Sequence, residues 1–425
     1  MAINTNFPAG LNILSNTNNR ASNCTSIKTL ASGFLVSSFT EYVGGKYTAN
    51  LKALSPSGAI IPSIIIPDIR PGDHFDIDLA EISGTDDFIA VWSSGTTSTR
   101  RIIGQRYNVS QSGFSSVGGQ IDISGTSVVS VAPRICYNIT TKKFLVIWVS
   151  VTNKTIWLKL LNEDLSDASQ QVAVTGELMS QYFNLSLNMH DNNVHTGYAV
   201  DIALTTGYDT PALPGINSRE RFFITLKGSR TLVRLFYLNS YKSSTKDSKL
   251  ELNEVILPFD FEDKEVEHFD MEYDAVKDKL MIVYGKYNDD DIYGLEILLF
   301  SQPKSVSLLA DNTLELRNIP KKLNIEAYDS YRPRIKRTNS ENINTGSYEY
   351  IVAWETQRFG IYFNRFSHEF IPQGAESEIQ HDDSDTDKAQ IVISDNQFVI
   401  VMQAHKFHGS PVQNTRAILF NTTDF

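Results

Sequence analysis

The chain has 425 residues, 41% of them hydrophobic and 20% charged, which is globular rather than disordered and leaves ample apolar material for a core. A formal net charge of −11 with scattered Lys and Arg argues against a nucleic-acid face and against insertion into or docking on anionic membranes. The two cysteines, Cys24 and Cys136, are far apart in sequence and exclude a zinc site built on Cys.

The N-terminus, MAINTNFPAGLNILS, has no basic segment followed by an apolar core, so no signal peptide is expected; nor is any apolar run long enough to span a bilayer. Compartment is left undecided, with a secreted or surface-associated setting favoured. Strand signals then dominate. FLVSSF (34–39), FIAVWSS (88–94), FLVIWVS (144–150), LMIVYGK (280–286), YIVAWET (350–356) and FVIVMQA (398–404) are β-branched and aromatic, and each is bounded by polar turns. None carries the i, i+3, i+4 spacing of a helix. They return at intervals of about 50 to 70 residues, the period of propeller blades.

Each central run is preceded by a weaker strand and followed by two more. Two of the preceding strands share Pro-Arg-Ile, at 133–135 and 333–335, and Trp148 or Trp354 then stands at the same point of the next strand. The pattern predicts one all-β domain over 1–425, a seven-bladed β-propeller of four-stranded antiparallel blades. The blades fall near 13–62, 63–124, 125–175, 176–258, 259–320, 321–380 and 381–425, the last completed by 1–12. Inserts at 206–220 and 239–248 break the rhythm of the fourth, so six blades is the alternative. Joined head to tail, 418–425 followed by 6–14 reads like 363–379, so an N-terminal strand is expected to close the ring.

The Phe/Tyr-x-Val-x-Trp core strand within a four-strand unit resembles loosely defined repeats of bacterial and phage-borne propellers. Tectonin-type and other fungal or bacterial propeller lectins share that layout. WD40, kelch and sialidase signatures are missing. The resemblance covers most of the chain and implies a propeller with a lectin-like binding role, and it carries over no ligand residue.

Chemistry is sparse. Asp383, Asp385 and Asp387 alternate before the last blade, and alternate carboxylates in a tight loop can converge on Ca²⁺. Lys388 stands where glycine is expected and Ser394 where an acid should close the loop, so the stretch also reads as a solubilising turn. No other cofactor is expected. Acids near inner strands, Asp76, Asp78, Glu81, Glu272 and Asp274, are candidates for paired-carboxylate catalysis or for a polar channel lining. No nucleophile elbow and no phosphate loop occur. Trp92, Trp148 and Trp354 sit mid-strand and read as inter-blade core, whereas Trp157 alternates with Lys159. Tyr208, Tyr241, Tyr287, Tyr293 and Trp157 are the ligand-facing candidates. The expected function is a non-enzymatic binding or scaffold module for a glycan or a protein partner, such as a component of a larger assembly. The alternative is a glycoside hydrolase or lyase with carboxylates at the ring centre. Oligomeric state is not legible.

Overall fold

The computed structural model describes residues 21–67, 72–125, 129–138, 142–150, 155–174, 201–207, 220–227, 233–242, 248–255, 266–274, 279–286, 291–298, 315–316, 320–325, 330–342, 347–356, 360–379, 385–394, 397–405 and 413–421. The chain divides into two compact units, one of 1–199 with 381–424 and the other of 200–380 with Phe425.

The first unit opens with a sheet of β1 (Ala21–Thr29), β2 (Leu35–Val43), β3 (Lys46–Leu54) and β4 (Ile60–Ile65), hydrogen-bonded in that order. Next come β5 (Asp73–Glu81), β6 (Asp87–Gly95), β7 (Arg101–Ser110) and β8 (Gly113–Asp122). A third sheet holds β9 (Ser130–Asn138), β10 (Lys143–Ser150), β11 (Thr155–Asn162) and β12 (Val172–Val174).

The second unit contains β13 (Asp201–Gly207), β14 (Glu220–Lys227), β15 (Val233–Lys242) and β16 (Ser248–Val255). It continues with β17 (Val266–Asp274), β18 (Lys279–Lys286) and β19 (Ile292–Leu298), whose last strand pairs with both β20 (Glu315–Leu316) and β21 (Lys321–Lys322). It ends with β22 (Ser330–Asn342), β23 (Ser347–Thr356), β24 (Ile361–Phe366) and β25 (Ser377–Ile379). A sheet of β26 (Asp385–Ser394), β27 (Gln397–His405) and β28 (Gln413–Asn421) returns to the first unit.

Neighbours in sequence are antiparallel neighbours in each sheet, several joined by short polar turns such as 82–86 and 111–112, which leave room only for a hairpin. Burial explains the apolar runs. In β6 and β10 every residue after the first is buried, so both faces of the second strand are covered. The fourth strand β8 exposes Ser115 to Gly119. Trp92, Trp148 and Trp354 are buried, filling the layers between sheets. First strands carry a β-bulge, seen in β1, β5, β9, β17, β22 and β26. In three of them a non-glycine residue takes the left-handed conformation there: Asp76, Ala132 and Arg332, with φ of 51°, 50° and 48°.

This is an all-β propeller fold, but the expected count of seven four-stranded blades, and the alternative of six, are both overturned. Among the described residues, five sheets have four strands: those of β1, β5, β9, β13 and β22. Among the same residues the β17 sheet has five strands and the β26 sheet three. The physical reason lies in the outer strand. A second strand must be apolar on both faces and announces itself, whereas the fourth varies from three residues in β12 and β25 to ten in the largely exposed β8 and leaves no consistent pattern. The expected closing strand at 6–14 lies outside the described residues.

Candidate functional site

The charged side chains that could do chemistry gather where the first strand of one sheet meets the first strand of the next. In the first unit, Asp78 of β5 accepts a hydrogen bond at Oδ2 from the Ile135 backbone N–H of β9, at 2.9 Å. In the second unit, Asp270 of β17 accepts at Oδ2 from the Ile335 N–H of β22, at 3.0 Å. Both isoleucines end the Pro-Arg-Ile triplets, and in both triplets the arginine's Nη1 donates to the carbonyl of its own proline. Edge position explains the match: β9 and β22 end their sheets, so alternate backbone N–H groups face away from the ladder and can meet a carboxylate of the neighbouring sheet.

Alternation along the strands extends the second seam. Asp270, Glu272 and Asp274 share one face of β17, because strand side chains alternate. Lys336 Nζ lies 2.8 Å from Glu272 Oε2. The buried Tyr350 hydroxyl donates to Asp274 Oδ2 at 2.8 Å, and burial together with that carboxylate holds the phenol well above the ordinary tyrosine range. Burial likewise pushes the Asp270 carboxyl up, opposed by Arg334, by Lys336 and by the backbone N–H groups of Ile335 and Met271.

In the first unit the raised carboxyl belongs instead to Asp76, two residues before Asp78. Burial raises its carboxyl above the usual carboxylate range, against the pull of Arg134 and Arg100 and of hydrogen bonds from the Ala132 backbone and the Ser93 side chain. Arg100 is itself buried. A carboxylate so placed can hold a cation or a polar ligand group, or exchange a proton. Glu81 lies 3.9 Å from Lys28 with both side chains partly exposed.

The structure therefore brings Asp76 and Asp78 together on β5, and Glu272 and Asp274 on β17. Of the ligand-facing candidates, Trp157 of β11 is half-buried, lies opposite Trp148 and packs on the cluster that includes Phe144 and Leu165. Tyr293 of β19 is half-buried and stacks on Tyr284 with ring centroids 5.7 Å apart. Tyr241 lies in β15 opposite Lys249. Tyr208, Tyr287 and Asp383 lie outside the described residues. Asp385 and Asp387 lie in β26, opposite His405 and Gln403. Among the described residues no group of three or more His, Cys, Asp or Glu is arranged to hold a metal ion. Also among them, no helix is long and apolar enough to cross a membrane.

Sequence reasoning missed Asp270, Arg100, Arg134 and Arg334 as members of these clusters. The repeated Pro-Arg-Ile was the available signal. Its partner acids stand 57 and 65 residues upstream, and no local pattern joins residues so far apart.

No family model and no curated protein matches the chain. Among solved structures it is similar to the polysaccharide lyase Uly1, with 8% identity, a TM-score of 0.50, and coverage of 94% of this chain and 90% of that one. It is also similar to prolyl oligopeptidase B from Galerina marginata, at 10% identity and a TM-score of 0.41 over 89% of this chain; it spans 46% of that enzyme's length. The hemagglutinin-neuraminidase ectodomain of parainfluenza virus 5 matches at 8% identity and a TM-score of 0.42, over 84% of this chain and 82% of that one. At such identities the likeness is one of fold: a β-propeller arrangement.

Proposed function

We propose that the chain is a non-enzymatic binding or scaffold propeller that recognises a glycan or a protein partner, lectin-like in the first case. One observation supports this reading above the rest. The inner-strand acids Asp78, Asp270, Glu272 and Asp274 each already hold a partner from the following sheet. Hydrolytic chemistry needs carboxyls aimed at a shared substrate, whereas these brace strand against strand. Recognition is then the work of loops on a rigid scaffold. A secreted or surface-associated setting suits such a role.

The test is a glycan array with the purified protein, in calcium and again in EDTA. Defined hits support the glycan reading, and their loss in EDTA, if Asp385→Asn also causes it in calcium, supports a calcium site at 383–387. No hits under either condition, with a specific partner captured from the native source, support protein recognition. Turnover of any arrayed glycan sinks the non-enzymatic reading.

A second reading, a glycoside hydrolase or lyase, is favoured by Asp76 alone, whose raised carboxyl stands beside Arg100 and Arg134. Depolymerisation of a polysaccharide panel that Asp76→Asn abolishes would establish it. An inert panel would remove it.

A further inference from the structure

The two seams agree at their outer ends as well. The β11–β12 turn and the β24–β25 turn are the same turn, bond for bond. Asn162 N–H donates to the Ser166 carbonyl at 2.9 Å, and Ser367 N–H to the Ile371 carbonyl at 2.8 Å. Leu165 N–H donates back to Asn162 at 2.9 Å, and Phe370 N–H to Ser367 at 3.0 Å. Leu165 and Phe370 are both left-handed, with φ of 66° and 55°. That conformation turns each apolar side chain out of its own hairpin and into the sheet before it.

Leu165 is buried with Ile89, Val91, Ile102 and Ile123 of the β5 sheet. Phe370 is buried with Met281, Val283, Ile292 and Leu323 of the β17 sheet. Cations of the earlier sheet then grip the turn's carbonyls. Arg106 donates to Glu163 O at 3.2 Å. Lys279 donates to His368 O at 2.8 Å, and Lys321 to Glu369 O at 2.6 Å.

Each seam is thus closed at the inner strand by a carboxylate on Pro-Arg-Ile and at the outer hairpin by an inserted apolar side chain. We propose that β5–β12 and β17–β25 are two copies of one two-blade module, each locked at both ends of its seam so that its blades open together. The module, not the blade, is the unit of local unfolding. A ligand touching both blades of a module then meets a preorganised surface, and its binding energy is not spent on closing the seam.

Native-state hydrogen exchange on the full chain tests this with Asp78→Ala, and with Asp78→Asn, which keeps an acceptor. Asp78→Ala should speed exchange of the Ile135 amide by about ten- to hundred-fold, since a hydrogen bond to a charged group is lost. Exchange should rise together in β5–β7 and β9–β11, while β17–β25 keeps its protection and Asp78→Asn restores most of what was lost. Faster exchange in β9 alone, or an even rise through the whole chain, overturns the module. If Asp78→Ala does not fold, Leu165→Ala at the other end of the same seam is read by the same criteria.

Discussion

Phe370 lies directly over Gly294. A Cβ built on that glycine would stand 2.7 Å from the ring's Cγ and 2.8 and 2.9 Å from its two Cδ atoms. The ring is buried and held by its left-handed backbone, so it has no room to retreat. Gly294→Ala should therefore cost about 1–3 kcal/mol, the range for overpacking a filled core. Adding Phe370→Leu, the side chain that the other module carries at this point, should recover part of the loss. Denaturant midpoints of the parent, single and double variants decide it. An unshifted midpoint for Gly294→Ala would rule out the tight contact.

Asp270 sets a pH dependence whose sign follows from its burial. Its carboxyl titrates above the ordinary 3.8, so between those two values the folded chain binds a proton that the unfolded chain does not. The contribution of this residue to stability must accordingly rise as pH falls through the raised value, and it levels off below the unfolded one. Asp270→Asn removes the titration. Other acids act on both proteins alike, so the informative quantity is the parent-minus-variant difference in denaturant midpoint from neutral pH downward. It should move in the parent's favour on acidification. A difference that stays level with pH would contradict the raised carboxyl.

Lys279 and Glu296 form a buried pair at 2.9 Å, their side chains 1% and 8% exposed. Removing one member strips a buried charge of its counter-ion, which typically costs about 3–5 kcal/mol. Lys279→Met should show that loss, plus a smaller one from the His368 carbonyl it also holds. Lys279→Met with Glu296→Leu should be much closer to the parent, because two apolar side chains need no compensation. A double variant as weak as the single would mean that the grip on the 367–371 turn, rather than the ion pair, carries the energy.

Much of the scaffold could be read before any coordinates. Trp148 and Trp354 stand in apolar runs of six and five residues that a strand covered on both faces requires, and both are buried there. Pro-Arg-Ile marked two first strands correctly placed before those runs. The blade count was not readable in the same way. Residues 315–316 and 321–322 are two-residue strands that pair with the same β19, and nothing local distinguishes them from turn.

The candidate site was half legible for the same reason. Asp76, Asp78, Glu272 and Asp274 could be named as inner-strand acids because period-two alternation is local. Their roles could not be named, since a carboxylate's meaning depends on which donor faces it. By itself the sequence determined the strands, the antiparallel hairpins between them and the identity of the core, all set by alternation and turn chemistry within a few residues. Only the tertiary structure decided that Asp78 meets Ile135 and Asp270 meets Ile335, and that Phe370 fills the space over Gly294. Those contacts join residues far apart in the chain, brought together by packing of one sheet on the next.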